Sequence, residues 1–173
     1  MSPFRLWVYK CLICWLPESS GFSLKAALLR WAGARVGRNV RLYSTVSVLG
    51  NGALEIGDDV HIGSGVKIFA NHPATVVIGD HVDIGPDVML VTGSHMVDIA
   101  GEHIGGAGFS KDISIGHGSW LAARATILPG VHIPPKTLVA AGTVVIESPD
   151  VSQDDAILLA GIPAVVKKRF NND

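Results

Sequence analysis

The chain has 173 residues, 48% of them hydrophobic and 17% charged, with a formal net charge of −1. That balance suits one packed domain, excludes a disordered chain, and leaves no global field to attract nucleic acid. Two cysteines, Cys11 and Cys14, are too few for the disulfide framework of a small secreted domain, so nothing conflicts with a reducing cytoplasm.

In chain order, residues 1–34 read as a helical segment. Residues 4–16 are apolar almost all round, from Phe4 and Trp7 to Trp15 and Leu16. The run is too short to span a bilayer, which takes about 20 apolar residues. Arg5 and Lys10 interrupt it, and Pro17-Glu18-Ser19-Ser20 is a poor cleavage site, so it reads as mature protein. Cys11-Leu12-Ile13-Cys14 reads as two buried cysteines on a helix face. A second helix is predicted from Phe22 to Trp31, ended by Gly33, with Leu24, Ala27, Leu28 and Trp31 at helical spacing. Two roles stay open for the segment. It caps or packs the repeat that follows, or residues 4–16 make peripheral contact with the inner face of a membrane.

From residue 35 to 152 the period is six. Ile115, Leu121, Ile127, Ile133, Val139, Val145 and Val151 are aliphatic in unbroken steps. Three earlier blocks keep the same step: Val36, Leu42, Val48; Ile56, Ile62, Ile68; and Ile78, Ile84, Leu90, Met96. Six fits neither a helix nor an alternating strand. It fits a three-sided prism in which each unit supplies one flat side and one corner, the aliphatic anchor points to the axis, and Gly or a small polar residue turns the corner. Coils then stack about 4.8 Å apart, each paired with the next, and the chain is long enough for roughly six of them.

The step fails in three places. Val48 to Ile56 is eight residues, Ile68 to Ile78 is ten, and Met96 to Ile115 is nineteen. The Gly-rich segment 97–114 lacks anchors and is expected to be a mobile loop leaving the prism just after Thr92-Gly93-Ser94-His95. Beyond Val151, residues 153–173 form a short C-terminal segment, with Asp154 to Leu159 expected to pack back on the prism.

An ordered series follows the loop: Ile115-Gly116-His117-Gly118-Ser119-Trp120, Leu128-Pro129-Gly130-Val131, Ala140-Ala141-Gly142-Thr143-Val144-Val145, and Leu159-Ala160-Gly161-Ile162-Pro163-Ala164. Together with Thr92-Gly93-Ser94-His95, this series resembles the hexapeptide-repeat acyltransferases of the maltose, galactoside and nodulation type. The resemblance covers nearly half the chain in detail and the N-terminal third in periodicity alone. It implies an all-β fold, a left-handed parallel β-helix, which departs from the usual right-handed crossover. It implies an acetyltransferase acting on a saccharide in surface-polysaccharide biosynthesis, O- or N-linked, with acetyl-CoA as co-substrate and a homotrimeric assembly.

The resemblance places His95 at the catalytic position. An acceptor hydroxyl is protonated at neutral pH, and imidazole titrates near working pH, so His95 is expected to act as general base and then return the proton to the CoA thiolate. Asn71 and Trp120 are the acceptor-binding candidates. Ala123, Ala141, Gly142 and Ile146 are the candidates for the CoA groove, with Lys168 as a phosphate partner. The family's threonine-lysine is Ile146-Glu147 here, and the family's asparagine near Gly63 is missing. A backbone N–H near Ala122 or Ala123 is the expected oxyanion donor.

Among the remaining histidines, His61 and His81 follow or precede corner positions and read as solvated. His72 and His103 are within loop reach of an acceptor, and His117 and His132 read as surface positions. No metal is expected. The γ-type carbonic anhydrases share the fold, but His117 is followed five positions on by Ala122, so their paired ligands are absent. The residues also admit a different acyl group, a non-sugar acceptor, or a catalytically idle scaffold.

Overall fold

The computed structural model describes residues 1–152 and 155–170. The six-residue step becomes three parallel sheets wound as one solenoid. The first face stacks Arg35–Val36, Ala53–Ile56, Thr75–Ile78, Ile113–Ile115 and His132–Ile133. The second stacks Arg41–Leu42, His61–Ile62, Asp83–Ile84, Trp120–Leu121, Thr137–Val139 and Ala156–Ala160, and Val165–Phe170 turns back antiparallel on the last of these. The third stacks Ser47–Leu49, Lys67–Phe69, Met89–Val91, Thr126–Ile127 and Val144–Val145. Five coils are complete, and Ala156–Ala160 begins a sixth on the second face. Asp154 lies outside the described residues, but the segment from Ala156 does return to the prism.

The anchors stack in register along the axis. Leu42 stands beside Ile62 and Ile62 beside Ile84; on the third face Val48, Ile68 and Leu90 do the same. Nearly all are fully buried, each worth about 1.5–3 kcal/mol relative to exposure. Val36 and Val151, at the two ends of the series, are partly buried, and Met96 is 59% exposed. Met96 keeps the step by coincidence, because the chain has already left the third face.

Glycine after the anchor has a different reason from the one expected. A Cβ on Gly85 would sit 2.9 Å from the Ala123 nitrogen and 3.0 Å from the Leu121 oxygen of the next coil. The glycine permits close stacking. At the corner between the first and second faces, the left-handed conformation falls two residues later, on Asn39, Asp59, His81, Gly118 and Lys136. Asn and Asp tolerate it well, and His81 is an exposed corner residue as expected.

Two helices, α1 (Pro3–Ile13) and α2 (Phe22–Trp31), cover the first coil, whose lower edge has no strand partner. Ser2 caps α1 and Pro3 begins it. Leu6, Tyr9 and Ile13 of α1, with Ala26 and Leu29 of α2, join the same core as Val40, Leu42 and Val48. The buried faces differ from those the spacing predicts. The stripe Leu24, Ala27, Leu28 and Trp31 is mostly turned to solvent, and Lys25 is buried in its place. Lys25 is satisfied there, because its ammonium donates to the carbonyl oxygens of Pro17 (2.8 Å) and Glu18 (2.9 Å). Cys11 and Cys14 are exposed, not buried. No helix among the described residues is long and apolar enough to cross a membrane.

Candidate active site

All three failures of the six-residue step fall on one edge of the prism, where the chain passes from the third face to the first. They are the turns 50–52 and 70–74 and the long excursion after Val91. The excursion spans residues 92–112, so it begins and ends earlier than the expected loop 97–114, and it is more ordered. It is an antiparallel hairpin of Gly93–Val97 and Gly105–Ser110, and by Ile113 the chain is back in the first face beside Val76. A glycine-rich composition hid the strand pairing.

Hydrogen bonds tie the three excursions together. The Asn51 side-chain oxygen accepts from the His72 N–H at 3.1 Å. Thr92, fully buried at the hairpin root, donates its hydroxyl to Phe69 O at 3.0 Å and accepts from the Asn71 N–H at 2.8 Å. A Cβ at Gly93 would collide with the Asn71 Nδ2, so this glycine lets the amide lie over the hairpin root. A cleft of about 440 Å³ results, with Asn71, His72 and Pro73 on one side and Ser94, His95, Phe109 and Ser110 on the other.

His95 is held from the opposite hairpin strand. Its Nδ1 lies 2.8 Å from Gly106 O. A carbonyl can only accept, so Nδ1 carries the proton and Nε2 keeps its lone pair in the neutral ring. The facing residues Gly105 and Gly108 bring no side chain against the imidazole; the nearest approach of an added Cβ would be 3.8–3.9 Å. The glycines therefore form a floor for the ring. Ser94, Phe109 and Ser110 were not singled out in the sequence. Pairing Gly93 with Ser110 and His95 with Gly108 would have found them.

The remaining candidates lie elsewhere. Trp120, 53% exposed, stands on the second face, which is the face opposite the broken edge. In one chain it therefore does not share a cleft with Asn71 and His95. It helps line another of about 520 Å³, with Tyr43, His61, Gly63, Ile84 and Pro86. His61 is half-buried in this cleft rather than solvated at a corner, with its ring 5.4 Å from that of Tyr43. Burial pushes its pKa below the usual histidine range, Arg41 adds to that, and Asp83 opposes it.

Ala123, Ala141 and Gly142 lie on the edge between the second and third faces, where Gly142 N–H donates to Ala123 O at 2.9 Å. The Ala122 N–H is held by Val139 O at 2.8 Å, which takes it out of consideration as an oxyanion donor. Ile146, 49% exposed, follows Val144–Val145 and sits on the broken edge two coils beyond the hairpin. Lys168 is exposed on the returning strand at the far end of the second face, paired with Leu158.

His103 is exposed at the hairpin tip, and His117 is exposed on a corner. His132 Nδ1 lies 2.8 Å from Ser114 Oγ on the first face. No group of three or more His, Cys, Asp or Glu converges for a metal among the described residues.

No family model matches the chain. It is 32% identical over 164 residues to WcaF of Escherichia coli K12, to which a role as a colanic acid biosynthesis acetyltransferase is ascribed; the match covers 94% of this chain and 84% of that protein. It is 34% identical over 129 residues to a galactoside O-acetyltransferase of Lactococcus lactis, covering 67% of this chain and 56% of that one. Among solved structures, the hexapeptide-repeat acetyltransferase VCA0836 of Vibrio cholerae, in complex with acetyl-CoA, superposes with a TM-score of 0.70 at 25% identity, covering 98% of this chain and 87% of that one. With the period of six, the solenoid and these likenesses in hand, the chain belongs to the hexapeptide-repeat acetyltransferases and has their left-handed β-helix fold.

Proposed function

We propose that the chain moves an acetyl group from acetyl-CoA to a hydroxyl, or an amine, of a saccharide in surface-polysaccharide assembly. The observation that carries this is the setting of His95, with Nδ1 held by Gly106 O, Nε2 without a hydrogen bond among the described residues, and an open cleft beside it. Acetyl-CoA brings an acyl group already activated as a thioester. His95 accepts the acceptor's proton at Nε2 as the oxygen attacks, and returns it to the departing thiolate. No enzyme-bound acyl group is needed. Asn71 stands across the cleft, where its amide can orient the acceptor. The likeness to WcaF and to a galactoside acetyltransferase supports a sugar acceptor.

Acetyl-CoA fits the edge between the second and third faces. Ala123, Ala141 and Gly142 leave backbone accessible there for the pantetheine arm. Lys168 stands at the far end of the neighbouring second face for a phosphate, a role that Glu147 cannot take. That edge and the broken edge border different sides of the prism. A homotrimer, in which the His95 hairpin of one copy meets the donor edge and Trp120 of the next, brings them together. The same reading places the protein in the cytoplasm, with residues 4–16 in peripheral contact with the membrane where such acceptors are assembled.

The test is steady-state transfer from acetyl-CoA to a panel of galactosides and glucosides. His95→Ala is expected to lower kcat by about 10²–10⁴ with the melting temperature unchanged. Retained turnover would remove the base, and an inactive wild type that shows no thermal shift with acetyl-CoA would leave a scaffold.

A further inference from the structure

α1 and α2 each bury one face on the prism, and each turns apolar residues the other way. On α1, Phe4, Trp7 and Cys11 recur three or four residues apart and so share a face, and Trp15 follows, exposed, in the turn just past the helix end. The three on the helix are opposite the buried Leu6, Tyr9 and Ile13. Phe4 is 69% exposed, Trp7 63% and Trp15 87%. On α2 the outward residues are Leu24, Ala27 and Trp31. Arg5 joins the helices, with its guanidinium 5.4 Å from the Trp31 ring centre and a hydrogen bond of 3.3 Å to Trp31 O. Three of the four tryptophans thus stand on one outer surface at the end of the solenoid.

Charge identifies the occupant. Residues 1–54 hold seven Lys and Arg and a single acid, Glu18, although the whole chain is nearly neutral. Glu18 is turned toward the prism, where the Thr45 hydroxyl donates to it at 2.5 Å. Arg35 and Arg38 are paired with Glu55 and Asp58 of the next coil. Arg5 and Lys10 have no acidic partner among the described residues and stay exposed at the rim of the aromatic surface, where the Lys10 ammonium also donates to Ser47 Oγ at 3.1 Å. A second copy docked end to end would bring two basic rims together. An anionic surface with an apolar interior complements both features, since Trp and Phe favour the interface and long basic side chains reach its phosphates.

We infer that the outer faces of α1 and α2 together form a docking surface for an anionic lipid bilayer, with Phe4, Trp7, Trp15 and Trp31 entering the headgroup region and Arg5 and Lys10 meeting lipid phosphates. The inference deepens the peripheral contact proposed for residues 4–16 by adding α2 and the lipid charge. It uses no residue assigned to acetyl transfer.

The test is co-sedimentation of the full chain with vesicles of phosphatidylglycerol and phosphatidylcholine, or of phosphatidylcholine alone. Binding to the anionic vesicles is expected, with tryptophan emission shifted to shorter wavelength and weaker binding at about 0.5 M salt. Trp7→Ser/Trp15→Ser should weaken binding on the order of tenfold while circular dichroism and melting stay as in the wild type. Arg5→Glu/Lys10→Glu should lose the preference for anionic lipid. Wild-type protein left in the supernatant, or serine variants that bind as well as wild type, would overturn the inference. So would tryptophan-dependent self-association in sedimentation velocity without lipid, which assigns the face to a second copy. Transfer to a soluble acceptor, measured separately, fails or succeeds independently of these outcomes.

Discussion

Two edges of the same prism behave in opposite ways. Where the second face turns into the third, the corners are short and small: Gly63-Ser64, Gly85-Pro86, Ala122-Ala123 and Ala141-Gly142. Each stacks on its neighbour, and the six-residue step holds. Where the third face turns into the first, every early corner is lengthened, and the third becomes a hairpin. The axis tolerates this because the anchors on either side, Leu90 and Ile115, are still buried. One edge keeps the stack regular with small residues at its corners. The other carries side chains outward and holds the imidazole. A repeat protein gains chemistry by breaking its period on one side only.

Mixing subunits should sharpen that contrast most. His95→Ala disables the broken edge, and Ala141→Trp obstructs the regular one; each alone is expected to be inactive. If the site is shared between copies, co-refolding equal amounts should restore about a quarter of wild-type turnover for statistical mixing in a cyclic trimer. No recovery would mean that each chain works alone.

A smaller effect is expected from breaking the regular edge itself. Gly85→Val puts carbon against the backbone of the next coil, which should cost about 1–3 kcal/mol as overpacking does. Thermal melting would read this as a drop of roughly 2–12 °C. A neutral result would show that the coils are not as closely stacked there as the 2.9 Å approach implies.

The smallest effect concerns the second cleft. His61 has its pKa lowered by burial and by Arg41, so folding favours the neutral ring. Its contribution is present above the unfolded value of about 6.5 and is lost as pH falls through the depressed folded value. His61→Gln should flatten the melting curve against pH in that acid window and leave it unchanged above. An equally steep curve in the variant would assign the acid sensitivity to different groups.

The sequence carried the prism because period six has no competing local structure, and seven successive anchors cannot be met by chance. The interruptions were legible too, with His95 just before one and Asn71 within another, while the roles expected of both came from the resemblance. What the pattern could not show was direction. A stripe at helical spacing marks a face without saying which side is inside, so Leu24 and Trp31 read as packing residues while Lys25, held by two carbonyls, took the interior. Met96 kept the step after the chain had left the wall. His61 read as solvated because an outward strand residue beside a corner looks alike whether or not a cleft covers it. Trp120 and His95 are neighbours in sequence terms, only 25 residues apart, yet the intervening hairpin and coil place them on opposite sides.

The tethering of the 70–74 turn to the hairpin root through Thr92 has a consequence for how such a chain can diversify. The bonds that define the cleft run from one excursion to the next, outside the ladder of the three faces. Residues 98–104 at the hairpin tip can therefore be lengthened, shortened or exchanged as a cassette, with Thr92, Gly93, His95 and the returning strand Gly105–Ser110 left as a fixed socket. New acceptors could be tried by inheritance or by design without reopening the folding problem.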